Sequence, residues 1–243
     1  MIVSIEKLKS IIQNSSNIVF FGGAGVSTES NIPDFRSEKG IYKIKSKYAH
    51  SPEVMLSHSF FVQHTEEFYD FYRNMMIFKD AKPNAAHFAL AELEQRGQLK
   101  AVITQNIDGL HQLAGSRQVL ELHGSVHRNY CTKCNKFFPL DYILASSSIP
   151  KCDVCGAIVK PDVVLYEEAL DNKVLEEAVK YISQADVLIV GGTSLVVYPA
   201  AGLVRYYGGK KLVLINKSAT SYDDAANLVI NDIIGKVLGK VVR

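Results

Sequence analysis

The chain has 243 residues, 47% hydrophobic and 21% charged, an ordinary globular composition with enough apolar material for a sizeable core. Its 27 basic and 25 acidic residues leave a formal charge of +2, which gives no electrostatic case for a nucleic-acid partner. The opening MIVSIEKLKSII lacks a basic leader before a long apolar run, and no stretch reaches the ~20 apolar residues of a membrane span. A cytoplasmic protein with no membrane partner is expected, and in that compartment four cysteines point to metal or catalysis rather than to disulfides.

Ile5, Leu8, Ile11 and Ile12 have helical spacing within residues 4–14, and Asn14-Ser15-Ser16-Asn17 interrupts them. A strand over 18–21 then runs into Gly22-Gly23-Ala24-Gly25. A helix is predicted over 84–96, started by Asn84 and closed by Gly97. The strand-like run 101–103 leads into Thr104-Gln105-Asn106-Ile107-Asp108-Gly109, and the run 119–122 leads into His123-Gly124. Residues 170–182 read as an amphipathic helix with Asp171 as its cap. A strand over 187–190 runs into Gly191-Gly192-Thr193-Ser194, and Pro199 opens a helix that Gly208-Gly209 ends. Short strands over 212–215 and 228–230 follow, the first ending at Asn216 and the second near Asp232.

These runs are short, nearly continuous in apolar character and separated by helices, the pattern of buried parallel strands. The fold class expected is α/β: a Rossmann-like open parallel sheet. Ligands bind outside the carboxyl ends of such strands, so the polar and glycine clusters are expected to converge on one crevice. Residues 36–82, rich in aromatics, and 127–160, which hold every cysteine, do not follow the pattern. They read as a smaller lobe made of a helical insertion and a metal ribbon.

Cys131-x2-Cys134 and Cys152-x2-Cys155, 17 residues apart, have the spacing of a four-thiolate zinc site. Four sulfurs close a tetrahedral shell and leave no position for water, so one structural zinc per chain is the reading. Another metal or redox-active thiols are the alternatives. The glycine turn is less specific. Glycines 22, 23 and 25 allow a phosphate to approach the backbone, but Thr28 stands where the third glycine of a dinucleotide fingerprint falls, and a tight strand-to-helix turn accounts for the same residues.

GAGVS (23–27), IPDFR (32–36), TQNIDGLH (104–111), HG (123–124), the four cysteines, KPDVVLY (160–166), GTSL (192–195) and Asn216 stand in one order. In these pieces the chain resembles the sirtuins, NAD-dependent protein deacylases, over nearly its whole length. The resemblance implies that NAD is a consumed co-substrate and that acetylated proteins or peptides are the partners. It places Ala24, Thr28, Phe35 and Arg36 in the loop over NAD, Gln105 at the ribose, and Asn106, Ile107 and Asp108 around the nicotinamide end. Thr193, Ser194, Asn216 and Asp232 would hold the adenosine half, and Val163 and Val164 would meet the acyl-lysine peptide as it adds a strand between the lobes. His123 is the implied general base, a role suited to an imidazole of unperturbed pKa about 6.5. The implied chemistry begins with attack of the acetyl-lysine carbonyl oxygen on the ribose carbon that bears nicotinamide. His123 then helps a ribose hydroxyl to attack the resulting alkylimidate, yielding lysine, nicotinamide and O-acetyl-ADP-ribose. The implied division is an NAD-binding domain of residues 1–35, 83–126 and 161–243, with small-lobe pieces 36–82 and 127–160.

Two departures stand out. Gly22 replaces the threonine usual before GAG, and Glu167-Glu168 replaces the usual glycine-glutamate after the substrate strand. Acidic-acyl specialists carry a tyrosine and, three residues on, an arginine; here Tyr69 and Tyr72 fall at those places and Arg73 is one residue off. Weak desuccinylation is therefore expected. Mono-ADP-ribosylation of protein, or a preference for longer acyl groups, are the alternatives within the family.

Overall fold

The computed structural model describes residues 2–35, 40–41 and 48–242. Helix α1 (Ile2–Gln13) leads into strand β1 (Ile18–Gly22), every residue of which is buried. Three short or medium helices follow, α2 (Pro52–Met55), α3 (His58–Gln63) and α4 (Thr65–Met75). Then come α5 (Ala85–Gln95), β2 (Leu99–Thr104), the single turn α6 (Leu110–Leu113) and β3 (Val119–Glu121). The ribbon region holds β4 (Gly124–Cys131), β5 (Phe137–Pro139), α7 (Leu140–Ala145) and β6 (Val159–Val163). The chain ends through α8 (Asn172–Gln184), β7 (Val187–Gly191), β8 (Leu212–Ile215), β9 (Leu228–Ile230) and α9 (Ile234–Val241).

The large sheet is parallel throughout, in the order β3-β2-β1-β7-β8-β9. Counting only its own strands this is 3-2-1-4-5-6, the doubly wound dinucleotide-binding order. Successive side chains of a strand point to opposite faces. Phe20 therefore joins a core with Leu8, Leu90, Leu93, Val237 and Leu238 from α1, α5 and α9. Phe21 joins the opposite core with Ile182 of α8 and with Ala200, Ala201 and Val204 of a 3-10 helix at Ala200–Tyr206. With both faces covered, the central strands β1, β7 and β8 are apolar and buried along their length, which is why these runs lack alternation.

Caps place the helices. Asn84 Oδ1 accepts from Ala86 N (2.9 Å) while His87 Nδ1 accepts from Asn84 N (3.2 Å), a reciprocal cap for α5. Asp171 Oδ1 accepts from Lys173 N (2.7 Å) and Val174 N (3.1 Å), so α8 begins one residue past the cap read from sequence. The segment after Pro199 is a 3-10 helix rather than the α-helix expected, closed by i,i+3 bonds such as Gly202 N to Pro199 O (3.0 Å). Helix α9 has no counterpart in the sequence reading. Its two glycines are poor helix formers, and burial of Ile234, Val237, Leu238 and Val241 against α1 and α5 outweighs them.

The small lobe is built on an antiparallel sheet in the order β5-β4-β6. Helix α4 buries Phe68, Tyr69, Phe71 and Tyr72 against Phe61, Phe138, Ile143 and Val159. Phe61 meets Phe68 edge-on at 5.0 Å, a favoured aromatic geometry. The Tyr69 hydroxyl donates to Val159 O, tying α4 to β6. Two extended crossings, Tyr166 N to Leu56 O (2.9 Å) and His58 N to Tyr166 O (3.0 Å), join the helical insertion to the end of the β6 segment.

Candidate active site

Strand order reverses between β1 and β7, and the turns after these two strands cross there. Gly25 N donates to Gly192 O at 2.7 Å. A Cβ on Gly25 would lie 2.8 Å from Gly192 Cα, and Gly192 itself sits at φ +61, so both positions require glycine for the turns to pass this closely. The crossing forms the floor of a cavity of about 1190 Å³ that runs between the sheet edge and the small lobe.

Along the floor, Gln105 N donates to Gly22 O (3.0 Å), setting the loop after β2 beside the glycine turn. Ser27, only 1% exposed, joins the two loops. Its hydroxyl donates to Asp108 Oδ2 (2.6 Å) and accepts from Asn106 Nδ2 (3.0 Å). Asp108 Oδ1 accepts from Leu110 N (2.9 Å). Burial pushes the Asp108 carboxyl up from its ordinary value, and the Ser27 and Leu110 bonds counter that by favouring the carboxylate. Ile107 and Phe35 add apolar wall to this end, with Ala24 and Thr28 above them.

His123 follows β3 and faces the same cavity. Its Nδ1 lies 2.9 Å from Gln105 O. A carbonyl only accepts, so Nδ1 carries the proton and Nε2 keeps its lone pair. Burial lowers the pKa of His123, and the Gln105 carbonyl partly offsets this by stabilising the protonated ring. The ring is thus a neutral, oriented base. Val164 N donates to His123 O (3.0 Å), so Val163 and Val164 lie directly across from it.

At the other end, Thr193 N donates to Asn216 Oδ1 (2.9 Å) and Gln105 Nε2 donates to Thr193 Oγ1 (3.1 Å). Ser194 and Asp232 also line this end. Asn216 Nδ2 is buried and has no partner within the protein. A buried donor left unpaired costs free energy, and the residue that carries it lines this end of the cavity.

The four cysteines lie outside the cavity lining, at the far end of the small sheet. Their sulfurs all fall within 4.8 Å of one another. Cys131 Sγ to Cys155 Sγ is 3.4 Å and Cys134 Sγ to Cys152 Sγ is 3.6 Å, close to the roughly 3.8 Å edge of a tetrahedron with 2.3 Å zinc–sulfur bonds. The amide of Cys134 (3.4 Å), and then that of Lys133 (3.4 Å), donates to Cys131 Sγ and lowers its pKa. The donor set fits one closed, structural zinc ion.

Residues 23–199 match the Sir2 family. The chain belongs to the Sir2 family. A relative from Clostridium acetobutylicum, named NAD-dependent protein deacetylase, is 68% identical over 239 residues, with 98% of each chain covered. One from Clostridium tetani with the same name is 69% identical over 239 residues, covering 98% of this chain and 97% of the relative. Among solved structures, a Sir2 complex with p53 peptide and NAD+ superposes with a TM-score of 0.85 at 42% identity, covering 98% of this chain and 96% of that one.

In this Sir2-family chain the residues that the motifs single out for NAD and peptide line one cavity, the cysteines lie apart from it, and Arg36 lies outside the described residues. Ser27 was not singled out, although it sits inside GAGVS; its signal was adjacency to the glycine turn. Besides capping α5, Asn84 donates from Nδ2 to Val26 O (2.8 Å) and Ser30 Oγ (2.9 Å), bracing the 24–31 segment. Glu167 stands at φ +75, a conformation uncommon for a non-glycine residue. Its carboxylate is held by Ser59 N (2.8 Å) and Ser59 Oγ (3.0 Å). The backbone shape of a glycine is thus kept at the cleft rim with a glutamate in it.

Proposed function

We propose that this chain removes acetyl groups from protein lysines, using NAD as a consumed co-substrate. NAD supplies the ADP-ribose that accepts the acetyl group. The observation that carries the reading is His123: a neutral imidazole with its lone pair at Nε2, fixed by Gln105 O at 2.9 Å, where the nicotinamide-side loop and the extended 163–166 segment meet. Asn106, Ile107 and Asp108 hold the nicotinamide end, with Asp108 oriented by its bond from Ser27. Gln105 reaches the ribose; Asn216 offers its unpaired Nδ2 to the adenosine half, with Thr193, Ser194 and Asp232 around it. Ala24, Thr28, Phe35 and Arg36 cover the co-substrate, Phe35 keeping water from the reacting carbon. His123 Nε2 takes a proton from a ribose hydroxyl, which lets that oxygen attack the acyl carbon. The acyl-lysine enters past Val163 and Val164. The zinc holds the small lobe and takes no part, since its shell is closed.

The same reading divides the chain into a nucleotide-binding domain (1–35, 83–126, 161–243) and small-lobe pieces (36–82, 127–160) and places the protein in the cytoplasm. Among the described residues, no helix is long and apolar enough to cross a membrane. The test is incubation of an acetyl-lysine peptide with NAD, scored by mass. Free lysine peptide, nicotinamide and O-acetyl-ADP-ribose are expected in equal amounts, and His123→Ala is expected to abolish them with the fold intact. Transfer of ADP-ribose to protein instead of to acetate would replace this reading with mono-ADP-ribosylation.

A further inference from the structure

The segment from Ala24 to Asn31 carries the turn over the cavity, and three sets of bonds hold it. Gly25 N meets Gly192 O, and Asn84 braces Val26 O and Ser30 Oγ. The third reaches further. Glu29, in a 3-10 turn at Thr28–Ser30, accepts at Oε2 from Gly235 N at 2.7 Å, across 206 residues of chain. Gly235 is the second residue of α9, where amide groups have no partner inside the helix. A carboxylate placed there satisfies one such amide and faces the positive end of the helix dipole. Gly235 has an ordinary helical neighbourhood otherwise, but a Cβ on it would overlap the Glu29 carboxylate. Glycine, a poor residue in a helix, is what leaves room for the contact.

The contact ties together two segments that both line the cavity. Glu29 follows Thr28, in the loop placed above over the co-substrate; Gly235 follows Asp232, Ile233 and Ile234, which line the end given above to adenosine. We propose that Glu29 is a positioning residue for NAD: docked on Gly235 N–H, it fixes the turn over the cavity against the Asp232–Ile234 segment, so that one dinucleotide can engage both. The inference rests on the reading of this cavity as the NAD site. Glu29 itself lies outside the cavity lining, so it acts through the segment that it anchors.

Direct titration with NAD and with ADP-ribose, without peptide, reads the site apart from catalysis. Glu29→Ala is expected to weaken both ligands roughly three- to tenfold, the scale of losing part of one charge-assisted hydrogen bond. In steady state, KM for NAD is expected to rise by a similar factor while KM for peptide and kcat move less than about twofold. Glu29→Gln retains an acceptor oxygen and is expected to restore most of the affinity. Gly235→Ala is expected to mimic Glu29→Ala, and the double variant to be less impaired than the product of the two, because the added methyl then occupies the space the carboxylate left. Unchanged NAD affinity in Glu29→Ala, or an equal loss across kcat and both KM values that Glu29→Gln does not rescue, overturns the positioning role. Failure of the wild-type protein to bind either NAD or ADP-ribose overturns the NAD reading as well.

Discussion

Ser27→Ala removes the hydroxyl that joins the loop after β1 to the loop after β2. Its hydroxyl is the shared atom of a two-bond relay, donating to Asp108 and accepting from Asn106, at a position 1% exposed. Ser27→Ala leaves the Asn106 amide donor and Asp108 Oδ2 without this partner, at a position that is itself 1% exposed. One neutral bond contributes about 1 kcal/mol and one to a carboxylate about 1.5–3 kcal/mol, so the combined loss is about 2.5–4 kcal/mol. For a chain of this size that lowers Tm by roughly 5–15 °C. The part of the loss that displaces the Asn106–Asp108 loop appears in kcat/KM for NAD, on the order of a hundredfold. Removing a donor to a carboxylate disfavours its charged form, so the pKa of Asp108, already raised by burial, rises further. The deficit should therefore deepen as pH falls. Ser27→Thr keeps the hydroxyl and should recover most of the activity. The assays are calorimetric unfolding and NAD-dependent deacetylation from pH 6 to 9. A Ser27→Ala protein with Tm within about 2 °C of wild type and activity within about twofold at every pH would refute the relay.

Three further outcomes follow from other parts of the molecule. Elemental analysis should find one zinc per chain, and Cys131→Ser should lose it together with the packing of Phe138, Ile143 and Val159, seen as a lower Tm and protease cleavage within 127–160. His87 and His111 lie with ring centroids 4.7 Å apart in a tilted pair, and burial pushes their pKa values down to about 4 and about 3. Both stay neutral when folded but take protons when unfolded below about pH 6.5, so their stabilisation is full above that pH and declines as pH falls towards 4; unfolding at pH 5 should show uptake of about two protons more than at pH 8. Succinyl-lysine should be a poor substrate beside acetyl-lysine in the same peptide. Tyr69 and Tyr72 are buried in the small-lobe core, and the Arg73 guanidinium is turned to Ile143 O (3.0 Å) and Ser148 O; a clear succinyl preference would refute this.

Much of the fold was legible because its signals are local. Asn84 and Asp171 are polar caps beside apolar periodicity, and they start their helices as read. The strands were visible because both faces of a parallel sheet are dry, which leaves continuous apolar runs. The cysteine pairs declared a metal site because a tetrahedral shell needs two thiolates per short loop. Helix α9 carries a mixed local signal: its two glycines disfavour a helix, while Ile234, Val237, Leu238 and Val241 keep helical spacing and are buried against α1 and α5.

The sequence by itself determined the family, the zinc ligands, and which turns stand at the ligand edge of the sheet. Only the tertiary structure decided how those turns work together. The hydroxyl of Ser27 becomes decisive because Asn106 and Asp108 arrive beside it from another strand. Gly235 matters because Glu29 reaches it from the opposite end of the chain. His123 becomes a defined base because the Gln105 carbonyl selects its tautomer. Motifs record residue types, whose chemistry is local; hydrogen-bond direction and close approach depend on atoms brought together by packing, and no spacing along the chain encodes them.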